Sequence, residues 1–411
     1  MASPTPPFVR SAIRPEVQAL RALAVGAVVL HHGWPAVAPA GYMGVDVFFV
    51  VSGFLITGML VREAEAERGV SLTRFYLRRA RRILPAGVAV LVVVSALTIA
   101  VVPMEEWRGW FRHIVASALY FENWQLAVDS QIPRRADLES TPVQHFWSLS
   151  VEEQFYLVWP LLVILAFVLA AKWGRSGRVL TVVILGTVTA ASFVHSILLT
   201  AADANLAYFG TFARAWEFGA GALLALWLSR RRAGPAATRG WIPQLRSAVS
   251  WGGLVAILVP IALFQDQEVF PGVVVLAPVL GTVAVIWAGM PEPAWSPARL
   301  AAWRPVQWTG DVSYSLYLWH WPIFMFAPYL TGMPSPPWMM VLLVVLALAV
   351  SGASKRWIED PFRRAKGRVL ARPTLVLGGI ATAVAIIVGA GMAMPGIAAE
   401  ERGRACEAPP Q

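Results

Sequence analysis

The sequence is short of charge and nearly free of cysteine. One cysteine in 411 residues excludes an internal disulfide framework and any cysteine-rich metal site. Charged residues make up 14% of the chain, against about 25% in a soluble globular protein. There is no glycine-rich phosphate loop, no zinc motif and no G-x-S-x-G turn of a serine hydrolase, so those chemistries have no seat here and no metal is expected. Neither a fixed-period repeat nor coiled-coil heptads occur. No small-residue cleavage site follows the first apolar run, which therefore reads as a retained helix and not as a signal peptide.

What fills the chain is apolar. It is 57% hydrophobic, with a mean hydropathy of +0.60. That composition predicts an all-α, polytopic membrane bundle of about ten or eleven spanning helices, about 20 residues being needed for ~30 Å of hydrocarbon. Eleven runs are candidates: 17–35, 43–61, 83–103, 146–171, 179–201, 207–229, 250–265, 272–290, 310–330, 337–357 and 373–394. Residues 1–372 make a ten-helix core, and 373–411 add an eleventh helix and a short tail. With the N-terminus in the cytosol, 27 of the 34 lysines and arginines lie in inner segments and 6 in outer ones, with Arg214 inside a run. That split orients the chain by the positive-inside rule and places the tail outside. It also accounts for the net charge of +10 without nucleic acid. Residues 104–145 are the irregular part, an interfacial or re-entrant piece on the outer face. The insert 230–249 is basic and loop-like.

Ionisable groups within such runs are costly and mark function by default. Arg21 and His32 stand 11 positions apart in the first run. That is close to three turns, so both project from one face about 16 Å apart. The alternative is an arginine that snorkels to headgroups and a histidine that binds a loop. Asp46 opens the next run at about the depth of His32, where a carboxylate would orient an imidazole and raise its basicity. It would otherwise cap its own helix. His31 competes with His32 but points about 100° away. Ahead of the third run stand Arg74, Arg78, Arg79, Arg81 and Arg82. Arg79 and Arg82 share a face, a seat for a polyanion such as a nucleotide phosphate, and Arg78 and Arg14 extend this basic mouth. Positive-inside charge alone explains most of the others.

The stretch His145-Phe-Trp-Ser-Leu-Ser-Val-Glu-Glu-Gln-Phe-Tyr156 opens the fourth run. Glu152 and Tyr156 share a face toward a polar cavity, with Trp147 and Ser148 just before them, while Glu153 points elsewhere. A hydrated helix start is the alternative. Gly310-Asp-Val-Ser-Tyr-Ser-Leu-Tyr-Leu-Trp-His-Trp-Pro322 places Tyr314 and His320 in a run that Pro322 interrupts, as where a helix lines a cavity. An aromatic cluster with one satisfied histidine is the alternative. Ser52 is a candidate acyl carrier. Arg214 and Glu217 read as a buried ion pair of structural value. Asn123 in the outer segment contacts an acceptor or a headgroup.

Taken in order, Arg21 with His32, Gly44-Val-Asp-Val-Phe-Phe with Ser52-Gly-Phe-Leu, Arg79/Arg82 before Ile-Leu-Pro, Phe146-Trp-Ser-Leu-Ser-Val-Glu-Glu-Gln-Phe-Tyr and Tyr314-Ser-Leu-Tyr-Leu-Trp-His-Trp-Pro resemble the membrane acyltransferase-3 family, over about residues 10–365. The resemblance implies multi-pass enzymes of the bacterial inner membrane. They move an acyl group, usually acetyl, from cytosolic acyl-CoA to a carbohydrate hydroxyl on O-antigen, peptidoglycan, exopolysaccharide or a macrolide sugar. Carried over, the family's Arg-then-His pair falls on Arg21 and His32, its Arg-x-x-Arg on Arg79 and Arg82, and its acidic motif on Glu152. The last run with an outer tail resembles the branch that carries an SGNH-type domain outside the membrane; no such domain is among these 411 residues. On this reading His32 is a general base held by Asp46 or Glu152, acetyl-CoA is the donor, and Arg21, Tyr314 or His320 steadies the oxyanion or the pantetheine arm. The acceptor is a surface glycan or glycolipid, with membrane lipid around the bundle. A transporter or flippase using the same polar core is the rival class. A non-catalytic membrane partner docking anionic lipid or protein is the third.

Overall fold

The computed structural model describes residues 14–66, 69–132, 140–230, 241–364 and 377–391, with positions 374 and 393. Among these residues there are helices and no strands. The principal helices are α1 (Pro15–Gly33), α2 (Gly44–Ala64), α3 (Leu72–Val101), α4 (Met104–Ala118), α5 (Glu122–Ser130), α6 (Phe146–Lys172) and α7 (Gly177–Ala202). They continue with α8 (Ala204–Phe209), α9 (Thr211–Arg230), α10 (Ile242–Leu263), α11 (Leu276–Ala288), α12 (Arg304–Thr331) and α13 (Pro337–Ser354). A π-helical turn, Lys355–Glu359, follows α13, and Leu377–Gly391 forms α14.

Six of these, α2, α3, α6, α7, α10 and the α13 stretch running on to Arg363, are long and apolar enough to cross a bilayer. The protein is therefore a polytopic membrane protein. Helices α1, α9 and α12 are as long but more polar, because they carry Arg21 and the histidines, Arg214 and Glu217, and His320. Apolar residues turned outward, such as Leu157, Leu161 and Leu165 on α6 and Leu342, Val345 and Leu346 on α13, are exposed and provide a surface for lipid.

Local sequence sets the ends. Pro15 sits in the first turn of α1, where a missing N–H costs nothing. Ser71 caps α3 by accepting the Arg74 N–H, which makes the whole arginine run helical and starts α3 well ahead of the apolar run at 83. Gly332, at φ 69°, closes α12 in a left-handed conformation. Residues 104–132 form α4 and α5, both too short to span.

Two close helix contacts position everything else. Helices α2 and α9 cross antiparallel: a Cβ on Gly53 would come within 1.9 Å of the Phe218 carbonyl oxygen. Helices α1 and α12 run parallel: a Cβ on Gly310 would lie 2.1 Å from the Gln18 carbonyl oxygen. Only a bare Cα permits either approach. Around the first contact Phe155, Phe218 and Phe49 stack in series at 4.1 and 4.4 Å, and Trp159 donates to Thr57 at 2.8 Å.

Candidate active site

Two of the cavities in the bundle are set back to back. The first, about 540 Å³, is lined by seven arginines and two glutamates: Arg21, Arg62, Arg78, Arg79, Arg81, Arg82 and Arg363, with Glu152 and Glu153. Ser52, Tyr156, Ser148 and Tyr314 belong to its polar wall. The second, about 350 Å³, is lined by His31, His32, His145, Trp147 and Trp321 among others. Val45 and Tyr317 belong to both linings, so one side-chain layer separates the cavities. Tyr317 is pinned there: its hydroxyl donates to the His145 carbonyl at 3.1 Å and meets Ser148 at 2.6 Å.

In the arginine cavity Glu152 is the hub. It accepts from Ser52 at 2.5 Å and from Tyr156, and Arg79 lies 4.0 Å away. The Arg79 guanidinium rests 3.4 Å from the centre of the Tyr156 ring, a cation–π contact that holds it flat against α6. Arg78 pairs with Glu63 at 2.6 Å. Arg21, Arg82 and Arg363 have no carboxylate within ion-pair distance among the described residues, and the Nε of Arg79 is buried without a hydrogen bond. Seven cations facing two acids, several not neutralised, suit a polyanion. Tyr314 donates to the Ile83 carbonyl at 2.8 Å and braces α12 against α3.

The histidine cavity fixes a tautomer. His320, fully buried, has Nδ1 2.9 Å from the Leu316 carbonyl oxygen. A carbonyl only accepts, so His320 Nδ1 carries the proton and its Nε2 is a lone pair. That Nε2 lies 2.9 Å from His32 Nδ1, which must then be the donor. His32 is left with an unprotonated Nε2, and it is His32, not His320, that lines the cavity. The two rings are nearly parallel, within 12°, and Trp321 packs against His32 at 4.4 Å. The polarised pair has the arrangement of a base and its orienting partner.

Several expectations from the sequence are corrected. Asp46 does not face His32: wholly buried, it accepts from Arg214, which also lies 3.2 Å from Glu217. Glu152 does not hold the imidazole either, being engaged by Ser52 and Tyr156 in the other cavity. His320 has no donor left for an oxyanion. Glu153 lines the cavity with Glu152 and does not turn away from it. Arg14 is outside the basic mouth, paired with Glu16 at 2.5 Å and with the Ile286 carbonyl at 2.9 Å. Asn123 is buried and donates to Phe209 and Thr211 at 3.0 Å each, so it touches neither acceptor nor headgroup. His31 binds the Ala38 carbonyl at 2.9 Å. Arg21, Arg78, Arg79, Arg82, Glu152, Ser52, Ser148, Tyr156 and Tyr314 do converge on one cavity, and His32 and Trp147 on the other. Tyr317 and Arg363 were missed; Tyr317 was legible as one turn on from Tyr314, while nothing local marks Arg363.

Residues 14–356 match the family of acyltransferase domains designated acyltransferase-3. The chain belongs to that family. Among relatives, peptidoglycan O-acetyltransferase OatA of Listeria monocytogenes is 30% identical over 360 residues, covering 85% of this chain and 56% of that protein. The putative peptidoglycan O-acetyltransferase YrhL of Bacillus subtilis is 28% identical over 370 residues, 88% and 57% of the two chains. A putative O-acetyltransferase of Staphylococcus aureus is 29% identical over 359 residues, 85% and 57%. The acyltransferase-3 chain described here thus spans a little over half the length of these relatives. No solved structure matches it.

Proposed function

We propose that this protein transfers an acetyl group from acyl-CoA to a hydroxyl of a cell-wall glycan, across the membrane in which it is embedded. What carries the reading is the pair of cavities back to back, one rich in unneutralised arginine and one holding a histidine with a free Nε2, parted by Val45 and Tyr317. The positive-inside rule puts the arginine cavity at the cytosolic side. There Arg79, Arg82 and their neighbours bind the phosphates of the donor, while the thin pantetheine arm runs past Arg21 and Tyr314 toward the dividing layer. The acceptor enters the histidine cavity from the other side.

The chemistry that follows is a general-base acyl transfer. His32 Nε2 takes the proton of the acceptor hydroxyl, and the oxygen attacks the thioester carbonyl. The C–S bond breaks, the ester forms and the CoA thiolate leaves, receiving the proton that His32 took up. His320 keeps His32 in the one tautomer able to do this and shares the charge that develops on it. Glu152 positions Arg79 through Tyr156 and takes no proton.

The test is thiol release from acetyl-CoA by the purified protein in nanodiscs, with and without a saccharide acceptor. Acceptor-dependent release supports the proposal. Glycan flux in proteoliposomes that is equal with and without acetyl-CoA, together with no thiol release, would replace it with the flippase reading.

A further inference from the structure

A third cavity, of about 990 Å³, opens beside the histidine cavity and shares Ser140, Gln144, Asn205 and Phe209 with it. Its walls come largely from α4 and α5, outside the long apolar helices. Its charge is unlike that of the arginine cavity. Among its described lining residues two arginines, Arg108 and Arg112, face three carboxylates, Glu105, Glu106 and Asp129, and most are spent. Arg112 pairs with Asp129 at 2.6 Å, and Tyr329 donates to Glu106 at 2.7 Å. Beneath them His113 meets Glu122 at 2.7 Å. Burial pushes the Glu122 carboxyl well above the usual carboxylate range, Asp129 adds to the push and Arg112 opposes it. A polyanion gains nothing in such a cavity.

The neck where the two cavities meet is different again. Gln144 is half-buried and Asn205 exposed, and neither side-chain amide makes a hydrogen bond to a described residue. Other amides nearby are fully engaged: Gln154 donates to Tyr120 and to Asn123 at 3.0 Å each and accepts from Trp124 at 3.1 Å. Each amide offers two donors and an acceptor with two lone pairs. Two such groups in the lining shared by both cavities match the hydroxyl and acetamido groups of an uncharged sugar. The volume lies in the range of ordinary ligand pockets, about 300–1,000 Å³.

We infer that this cavity is the acceptor subsite and takes an uncharged oligosaccharide, with Gln144 and Asn205 gripping the sugar whose hydroxyl reaches His32. The inference rests on the acyl-transfer reading for its direction, not for its binding chemistry.

Binding separates the two. The full chain in nanodiscs is titrated calorimetrically with chitotetraose and, separately, with desulfo-CoA. The wild type binds both; replacing Gln144→Leu and Asn205→Leu together weakens chitotetraose about tenfold or more, the loss expected for two hydrogen bonds, and leaves desulfo-CoA unchanged. Unchanged chitotetraose affinity in the double variant overturns the inference. So does a wild type that binds desulfo-CoA but no chitotetraose, a result that leaves acyl transfer standing. A wild type that binds chitotetraose and not desulfo-CoA supports the subsite and removes the acyl-transfer reading. A double variant that binds neither has lost its fold; the isosteric pair Gln144→Glu and Asn205→Asp, which exchanges donors for acceptors, then decides by the same criterion.

Discussion

Replacing Arg214 by methionine removes the cation that stands between two buried carboxylates. Arg214 is 1% exposed and Asp46 and Glu217 are 0% exposed. Asp46 accepts from the guanidinium directly, and Glu217 lies 3.2 Å from its Nε. Methionine fills most of the volume, so cavity formation contributes little and the loss is electrostatic. Breaking a buried pair by removing one partner costs about 3–5 kcal/mol, because the remaining charge has neither water nor a counter-ion. That is a factor of roughly 10²–10⁴ in the ratio of folded to unfolded protein. Asp46→Asn in the wild type costs less, since Glu217 still answers Arg214; in the Arg214→Met background it should restore stability by relieving repulsion. The assay is a double-mutant cycle on unfolding in detergent, followed by intrinsic fluorescence of the 19 tryptophans. A coupling energy of about 1 kcal/mol or more is expected for groups sharing one network. Additive losses would refute the argument and return Asp46 to the list of groups acting elsewhere. Trp147 and Tyr208, which line the histidine cavity, lie 6.0 Å from the guanidinium, so activity should fall with stability in Arg214→Met.

Three further outcomes are expected. His320→Phe removes the acceptor that holds His32 Nδ1–H and should lower kcat by about 10²–10⁴, as for other bases deprived of their orienting partner; His320→Gln, whose side-chain oxygen can accept, should recover part of it, and equal rates in the two variants would rule out the tautomer argument. Arg79→Ala with Arg82→Ala should raise KM for acetyl-CoA more than tenfold, with raised salt weakening donor binding in the wild type; an unchanged KM excludes them as the phosphate seat. Gly310→Val forces α12 away from Gln18 on α1 and should uncouple His32 from His320, lowering kcat; wild-type kcat in a folded protein would contradict the close-approach account.

Local pattern carried the helices far better than it carried their neighbours. The run from Ala19 to Leu30 and the glycine-rich entry to α2 predicted α1 and α2 to within a few residues, because apolar length is a local property. Arg79 and Arg82 on one face, and Glu152 with Tyr156 at i, i+4, were legible for the same reason. The partner of Asp46 was not, although the sequence alone suggests Arg214 and Glu217 as a pair. Arg214 lies 168 residues on, and depth in a membrane does not say which helix is adjacent. The sequence marks His320 as cavity-lining, which the structure corrects, since of the pair only His32 lines the cavity; nor does it mark His320 as the mate of His32, 288 residues away. That meeting depends on α1 and α12 running parallel with Gly310 pressed on Gln18, a contact that no periodicity encodes. The third cavity was hidden by the irregular composition of residues 104–132, whose two short helices have no spanning signal.

The central claim is that His32 Nε2 removes the acceptor proton. It is tested most directly by His32→Ala in nanodiscs, with thiol release and desulfo-CoA binding measured on the same preparation. Loss of acceptor-dependent release by about 10²–10⁴ with unchanged desulfo-CoA binding is the predicted result. Release at the wild-type rate from a protein that still binds desulfo-CoA would contradict it.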